Sequence, residues 1–226
     1  MDDTDFNASP DNEWEDRGEL AWNEFDWERY LRAQDEAIHR YLGFYEAFRS
    51  RDDRIDLVAA QMGWEPAAED EEPEAETEED EAETAEFASQ EEVYTLHKNP
   101  VFVATKAIVL SIKRPWEILA SQPGKLTPSL AVSYLAAVHR SEDYAMQAIH
   151  ALDFGDYAMA ISLLKRSLGA LNDSLNLLSG EAAAAQPAVR DYAAEAKIRL
   201  FDLREVWLRV IAECRRELGR AVDDSS

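Results

Sequence analysis

Acidic and histidine side chains occur at two places in the chain with the spacing of metal ligands. Glu36 stands three residues before His39, which is the Glu-x-x-His spacing that helical bundles use to hold pairs of metal ions. His139 and Glu142 have the reverse spacing, and His150 follows His139 by about three helical turns on the same face. The sequence therefore leaves open a metal site, whose candidate ligands are Glu36, His39, His139, Glu142, Asp143 and His150.

Glu142 has a second interpretation, because it falls at a position of an apolar helical seam. A carboxylate in such a place needs a partner, and a neighbouring Lys or Arg would serve as well as a metal ion. A position at the end of a bundle would also satisfy it. Since the chain contains only one Glu-x-x-His in the forward direction, the ion pair is favoured over the metal site.

Arg32 and His39 form a second candidate constellation, with six residues between them on one predicted helix. This spacing resembles the Arg-x(4–6)-His motif of RNases of the HEPN kind, which are helical bundles. The resemblance implies RNA cleavage by these two side chains. Against it, the surrounding chain is strongly acidic, and a polyanion repels the RNA backbone.

Other catalytic patterns are not evident in the sequence. It shows no phosphate loop, no dinucleotide-binding fingerprint and no nucleophile elbow. The single cysteine, Cys214, falls in an apolar helical stripe, which is typical of a buried structural thiol rather than a nucleophile. We therefore predict a non-catalytic protein without a cofactor.

Aromatic residues are concentrated in residues 19–63, where a helix of about 25–30 residues is expected. This helix should end near Ser50, and a short helix over residues 55–62 should follow and end at Gly63. So many aromatic side chains on one helix are not left in water. They should pack on the rest of the chain, on a second copy or on another protein, and the candidate partner-binding residues are Trp22, Phe25, Trp27, Tyr30, Tyr41, Tyr45 and Phe48.

The charge of −24 is distributed unevenly along the chain. Residues 1–97 contain 7 basic and 32 acidic residues, whereas residues 98–226 contain 16 basic and 15 acidic residues. We predict a disordered acidic tail over residues 1–18 and a disordered acidic linker over residues 64–90, in which 13 of residues 65–86 are acidic and none is basic. Such a polyanion favours a basic protein partner over nucleic acid.

No apolar run reaches the 18 or more residues of a membrane span, and the acidic N-terminus does not look like a secretory signal. The expectation is a cytoplasmic protein that does not bind a membrane.

A tight helical hairpin is predicted over residues 134–178. Gly155 suits the left-handed position after a helix, and Asp156 suits the N-cap of the next helix. The run GDYAMAI at residues 155–161, with Leu168 further on, resembles the turn and second helix of a tetratricopeptide repeat. The likeness covers about 25 residues and occurs once, so it does not imply the peptide groove that several stacked repeats would form.

Residues 91–220 contain four long amphipathic stretches with three- and four-residue apolar steps, followed by a polar tail over residues 221–226. Pro115 should kink the first of these helices or end it near Arg114, Thr127 should cap the second, and Pro187 should open the last. The predicted fold is all-α, an up-and-down antiparallel four-helix bundle with an N-terminal aromatic helix tethered by the acidic linker.

The function that these features favour is a non-catalytic protein-binding or adaptor module, with self-association as one form of it. The expected partner is a basic protein or a second copy of the chain. Whether the aromatic helix packs on its own bundle or on another chain stays open at this point.

Overall fold

The computed structural model describes residues 23–64 and 98–223. Within these residues the chain is helical and contains no strand, which confirms the all-α prediction. The predicted acidic tail, Trp22, residues 65–90 of the predicted linker and most of the polar tail lie outside the described residues. The helices are α1 (Glu24–Ala47), α2 (Arg54–Gln61), α3 (Pro100–Ala120), α4 (Pro128–Asp153), α5 (Tyr157–Ser179), α6 (Glu181–Ala184) and α7 (Pro187–Asp223).

Four of these helices form a closed ring around one core. α3 packs on α4, α4 on α5, α5 on α7, and α7 again on α3. The short turns between consecutive helices give the up-and-down order that was predicted. α1 packs on α3 from outside the ring, and α2 folds back against α1. The bundle is therefore the scaffold on which α1 and α2 are placed.

The turn between α4 and α5 has the predicted geometry. Gly155 has a φ of +72°, in the left-handed region where a residue with a Cβ is strained. The Asp156 carboxylate caps α5 by accepting a hydrogen bond of 2.9 Å from the Met159 amide. Thr127 differs from its prediction, because its side chain makes no cap bond and its amide donates instead to Gln186 Oε1 at 3.1 Å.

Small residues occupy several buried positions between α4 and α5. Ser167 Oγ donates to the Ser141 carbonyl across this interface at 2.6 Å. Alanine and serine side chains in the interface bring the two helices close together. The larger side chains of Ile161, Leu168 and Leu175 in α5 are only half-buried, whereas Ala160, Ser167 and Ser174 are fully buried.

Beyond Trp207, the buried face of α7 continues through Ile211 and Cys214. Ile211 is buried in the bundle, whereas Val210 is half-buried and Leu218 is exposed. Both steps fit a helical period, so the sequence pattern does not choose between positions 210 and 211. Val210 instead lines a groove with Tyr41 and Trp64, on the side of α7 that faces α1 and α2.

α3 continues through Pro115 to Ala120, so the helix does not end at the proline. Proline cannot donate to the carbonyl one turn earlier, which loosens the helix there. The Tyr192 hydroxyl of α7 reaches this turn and donates to the Ile112 carbonyl at 2.9 Å. Trp116 packs against the Tyr192 ring at a centroid distance of 5.0 Å. An aromatic cluster therefore supports the proline-containing turn.

No helix in the part of the chain that the structure describes is both long enough and apolar enough to cross a membrane.

Candidate functional site

One apolar stripe runs the whole length of α1. Its members alternate in steps of four and three residues, which places them on one face of the helix. The environment of this stripe changes abruptly halfway along the helix. We call residues 24–36 the exposed half and residues 37–47 the docked half; the stripe consists of Trp27, Leu31, Gln34, Ile38, Tyr41 and Tyr45.

The docked half packs into the bundle through three stripe residues. Ile38, Tyr41 and Tyr45 are all buried, with exposures of 8%, 1% and 2%. The Tyr41 ring stacks on Tyr45 at 6.2 Å and on Trp64 at 5.7 Å between centroids. Phe48, the residue after the helix, is partly buried against the same core. This half of α1 therefore belongs to the internal core of the protein.

A buried polar clamp fixes the docked half and α2 to α7. Arg54 of α2 donates two hydrogen bonds to Asp202 of α7, from Nε at 2.6 Å and from Nη2 at 2.7 Å. The Tyr45 hydroxyl donates to the same carboxylate. Arg54 and Asp202 are both buried, so each charge depends on the other for its stabilisation.

The pKa values in the clamp follow from these contacts. Burial and the Asp202 carboxylate raise the pKa of Tyr45 far above its usual value, so the hydroxyl remains a donor. The hydrogen bonds to Asp202 raise the pKa of Arg54. Tyr41 has a raised pKa for the same two reasons as Tyr45, burial first and Asp202 second. Its hydroxyl is buried without a hydrogen-bond partner among the described residues.

Two further ion pairs surround the clamp in more exposed positions. Glu46 of α1 pairs with Arg199 of α7, and Asp56 of α2 pairs with Arg209 of α7. Both side chains of the second pair are at least half exposed, so that pair contributes little to stability. Together the contacts place α1 and α2 at a fixed position on α7.

The exposed half of α1 contains no buried residue. Phe25 is 72% exposed, and the stripe residues Trp27 and Leu31 are 53% and 50% exposed. Trp27 meets Tyr30 edge to face at 6.0 Å. A capping box stabilises the start of this half, because the Asn23 side chain accepts from the Asp26 amide while Asp26 accepts from the Asn23 amide. A formed helix thus presents large apolar side chains to solvent.

The structure divides the predicted partner-binding residues into two groups. Phe25, Trp27 and Tyr30 lie in the exposed half, and Leu31 joins them although the prediction missed it. The periodic steps from Trp27 to Leu31 were the signal that could have found it. The assignment of Tyr41 and Tyr45 to a partner surface is wrong, because both are buried against α3 and α7.

Glu142 is buried, and two lysines of α3 satisfy its carboxylate. Lys106 Nζ lies 2.7 Å from Oε1 and Lys113 Nζ lies 3.2 Å from Oε2. Burial alone would raise the pKa of Glu142, but the two ammonium groups outweigh it and hold the pKa below its usual value. This arrangement is the ion-pair interpretation of Glu142, in which each carboxylate oxygen binds one lysine ammonium group.

The other candidate ligands are not brought together. Glu36, His39, Asp143 and His150 are exposed on two different helices, and His139 is half-buried. Within residues 23–64 and 98–223, no three histidine, cysteine or acidic side chains form a group that could hold a metal ion. The described side chains therefore offer no preformed ligand set.

The Arg32 and His39 pair lies on an exposed face of α1. Arg32 pairs with Glu28 at 2.8 Å, and His39 Nδ1 lies 2.8 Å from the Asp35 carbonyl. Both contacts are local ones within the helix. Cys214 is buried in α7, where burial raises the pKa of its thiol, as expected for a structural residue.

Comparison with known proteins adds no assignment: no family model, no curated protein and no solved structure matches the chain.

Proposed function

We propose that the chain is a non-catalytic protein-binding module that docks a partner on the exposed half of α1. The observation that carries this proposal is the continuity of the stripe. The same face that is buried from Ile38 onward continues to Leu31 and Trp27, which are about half exposed. A stable apolar surface in water that continues an internal interface is typical of a docking site.

The side chains of the exposed half suit a protein partner. Tryptophan and tyrosine are enriched among the residues that dominate binding energy at interfaces. An amphipathic helix with apolar side chains at these intervals fits into a groove on another protein. Residues 24–36 contain five acidic and two basic side chains, which favours a partner groove with a basic rim.

The partner is a protein or a second copy of the chain, rather than nucleic acid or a membrane. The site lies within residues 1–97, which have a net charge of −25 and so disfavour a phosphate backbone as the partner. We place the protein in the cytoplasm. The metal-binding and RNase alternatives stay open, but no described contact favours either of them.

The test compares the wild-type chain with a Trp27→Ser/Leu31→Ser variant. The control variant is Val132→Ser/Phe154→Ser, which removes one aliphatic and one aromatic side chain that are 68% and 88% exposed elsewhere. Each immobilised protein is incubated with native lysate, and captured proteins are identified by mass spectrometry. Sedimentation velocity of each purified protein measures self-association.

The proposal predicts that wild type and control capture the same protein, or form the same oligomer, and that the Trp27→Ser/Leu31→Ser variant does neither. All three proteins should have the same melting temperature within about 2 °C, since no changed side chain is buried. Equal capture by wild type and the α1 variant, or an unchanged oligomer, would contradict the proposal.

A further inference from the structure

A row of cationic side chains runs along one face of α7, where Arg190, Arg204 and Arg215 are exposed and Lys197 is half-buried. Its members are separated by 7, 7 and 11 residues, and these intervals return to the same helix face. We call this row the α7 stripe. It consists of Arg190, Lys197, Arg204 and Arg215.

The stripe cations have no acidic partner within residues 23–64 and 98–223. The other arginines of α7 do pair with acidic side chains, as Arg209 does with Asp56 and Glu205. The neighbouring helix α5 offers no acid either, because its exposed Asp173 pairs with Arg140 of α4. The stripe therefore presents unpaired positive charge on a protein whose total charge is −24.

Exposed apolar side chains lie between the cations. Phe201 and Leu208 are 52% and 41% exposed and occupy the same face as Lys197 and Arg204. Alternating positive and apolar side chains suit a polypeptide that is acidic and carries small apolar residues.

We infer that the α7 stripe binds the acidic segment of this same chain, residues 65–86. That segment has 13 acidic residues, no basic residue, and alanine as its only apolar residue type apart from proline. The segment and the α7 stripe are therefore opposite in charge. The inference does not depend on the proposed function of α1.

The attachment points of the segment lie beside α7. Trp64, the last described residue before it, lines one groove together with Val206 and Arg209 of α7. Trp64 also lines a second groove together with Lys98, the first described residue after it. The chain thus leaves beside the middle of α7, on the side that faces α1 and α2, and returns next to Trp64, so the segment must pass around α7 to reach the stripe.

The length of the segment is sufficient for this contact. Residues 65–97 number 33, and an extended chain that runs out and back over half that number spans about 50 Å at roughly 3.3 Å per residue. The α7 stripe from Arg190 to Arg215 is about 38 Å long at 1.5 Å per residue. Because the segment is tethered at both ends, its effective concentration at the stripe is in the millimolar range, at about 1 mM or more.

If the segment occupies the stripe, a basic partner must compete with α7 for it. This would make α7 an internal competitor for the acidic segment. Salt should weaken the contact, since the Debye length falls from roughly 30 Å at about 10 mM salt to roughly 3 Å at about 1 M.

The experiment uses the full chain and cleavage by a glutamate-specific protease within residues 65–86. The stripe variant is Lys197→Gln/Arg204→Gln/Arg215→Gln. The control variant, Arg49→Gln/Arg114→Gln/Lys125→Gln, removes one lysine and two arginines at exposed sites outside the stripe. Initial cleavage rates are measured for the three proteins at low and high salt.

The inference predicts that, at low salt, the stripe variant is cleaved about fivefold faster than wild type and control, a size typical of several partly exposed ion pairs. At high salt the three rates should converge. Carbodiimide coupling of wild type at low salt should join Lys197 to a glutamate of residues 65–86 within one chain. Equal rates at low salt, or coupling only between two chains, would overturn it.

Discussion

The two halves of α1 carry the same stripe but meet opposite environments. In the docked half the stripe is buried, and the clamp of Tyr45, Arg54 and Asp202 holds it on α7. In the exposed half Trp27 and Leu31 continue the stripe into solvent. Periodicity therefore shows which face of a helix is apolar, whereas packing decides how much of that face is covered.

Removing the clamp should have the largest effect on stability. Asp202→Ala should cost about 3–5 kcal/mol, because it leaves the Arg54 guanidinium buried without its partner. Urea unfolding followed by circular dichroism measures the loss. Asp56→Ala serves as the control, since its pair with Arg209 is exposed, and it should cost no more than about 1 kcal/mol. Similar losses in the two variants would show that the clamp does not fix α1.

Alanine substitutions along the stripe compare the two halves directly. Ile38→Ala should cost about 2–4 kcal/mol, because it removes buried methyl groups and leaves a cavity. Leu31→Ala should change the free energy of unfolding by no more than about 0.5 kcal/mol, because the side chain is half exposed. The same urea titration measures both values. A large loss for Leu31→Ala would mean that the exposed half is covered in the free protein.

A substitution of Glu142 tests the stability of the bundle itself, because Glu142 of α4 pairs with two lysines of α3. Glu142→Gln should cost about 1–2 kcal/mol at neutral pH, since the two partly buried lysines lose their carboxylate but can still reach water. Glu142 has a pKa below its usual value when folded, so its ionised form stabilises the protein above the unfolded pKa of about 4.3. That stabilisation is lost as the pH falls through the folded pKa. The difference in the free energy of unfolding between wild type and variant should therefore shrink as the pH falls. A difference that does not change with pH would contradict a stabilising role for the ionised Glu142.

The smallest expected effects on stability come from removing the hydroxyl groups of the two buried tyrosines. Tyr45→Phe should cost about 1 kcal/mol, because Asp202 loses one donor but keeps Arg54. Tyr41→Phe should be neutral or stabilising, because the Tyr41 hydroxyl is buried without a described partner. Thermal unfolding of both variants measures the difference. Equal destabilisation would show that the Tyr41 hydroxyl has a partner after all.

Local signals explain why the bundle was predictable. Gly155 and Asp156 mark the α4–α5 turn because a left-handed position and an N-cap each require particular residue types. The helical period likewise identifies each apolar face. Glu142 was correctly expected to need a cationic partner, since a buried carboxylate is rarely alone.

The boundary within α1 was not predictable from local pattern. Trp27 and Tyr45 occupy equivalent stripe positions, and only the extent of α3 and α7 beside them decides which one is covered. The pair of Arg54 and Asp202 joins residues 148 positions apart, so neither residue carries a local signal of the other. Each looks like an ordinary surface charge in sequence.

Hydrogen exchange of the free protein, resolved along α1, measures how far the docked half and the exposed half differ in protection from solvent. We expect the amides of residues 38–47 to exchange at least about 100-fold more slowly than those of residues 27–34, because the docked half opens only when the clamp opens. Addition of a captured partner should then slow the exposed half alone. Equal, slow exchange along the whole of α1 in the free protein would contradict the assignment of its first half as an exposed docking surface.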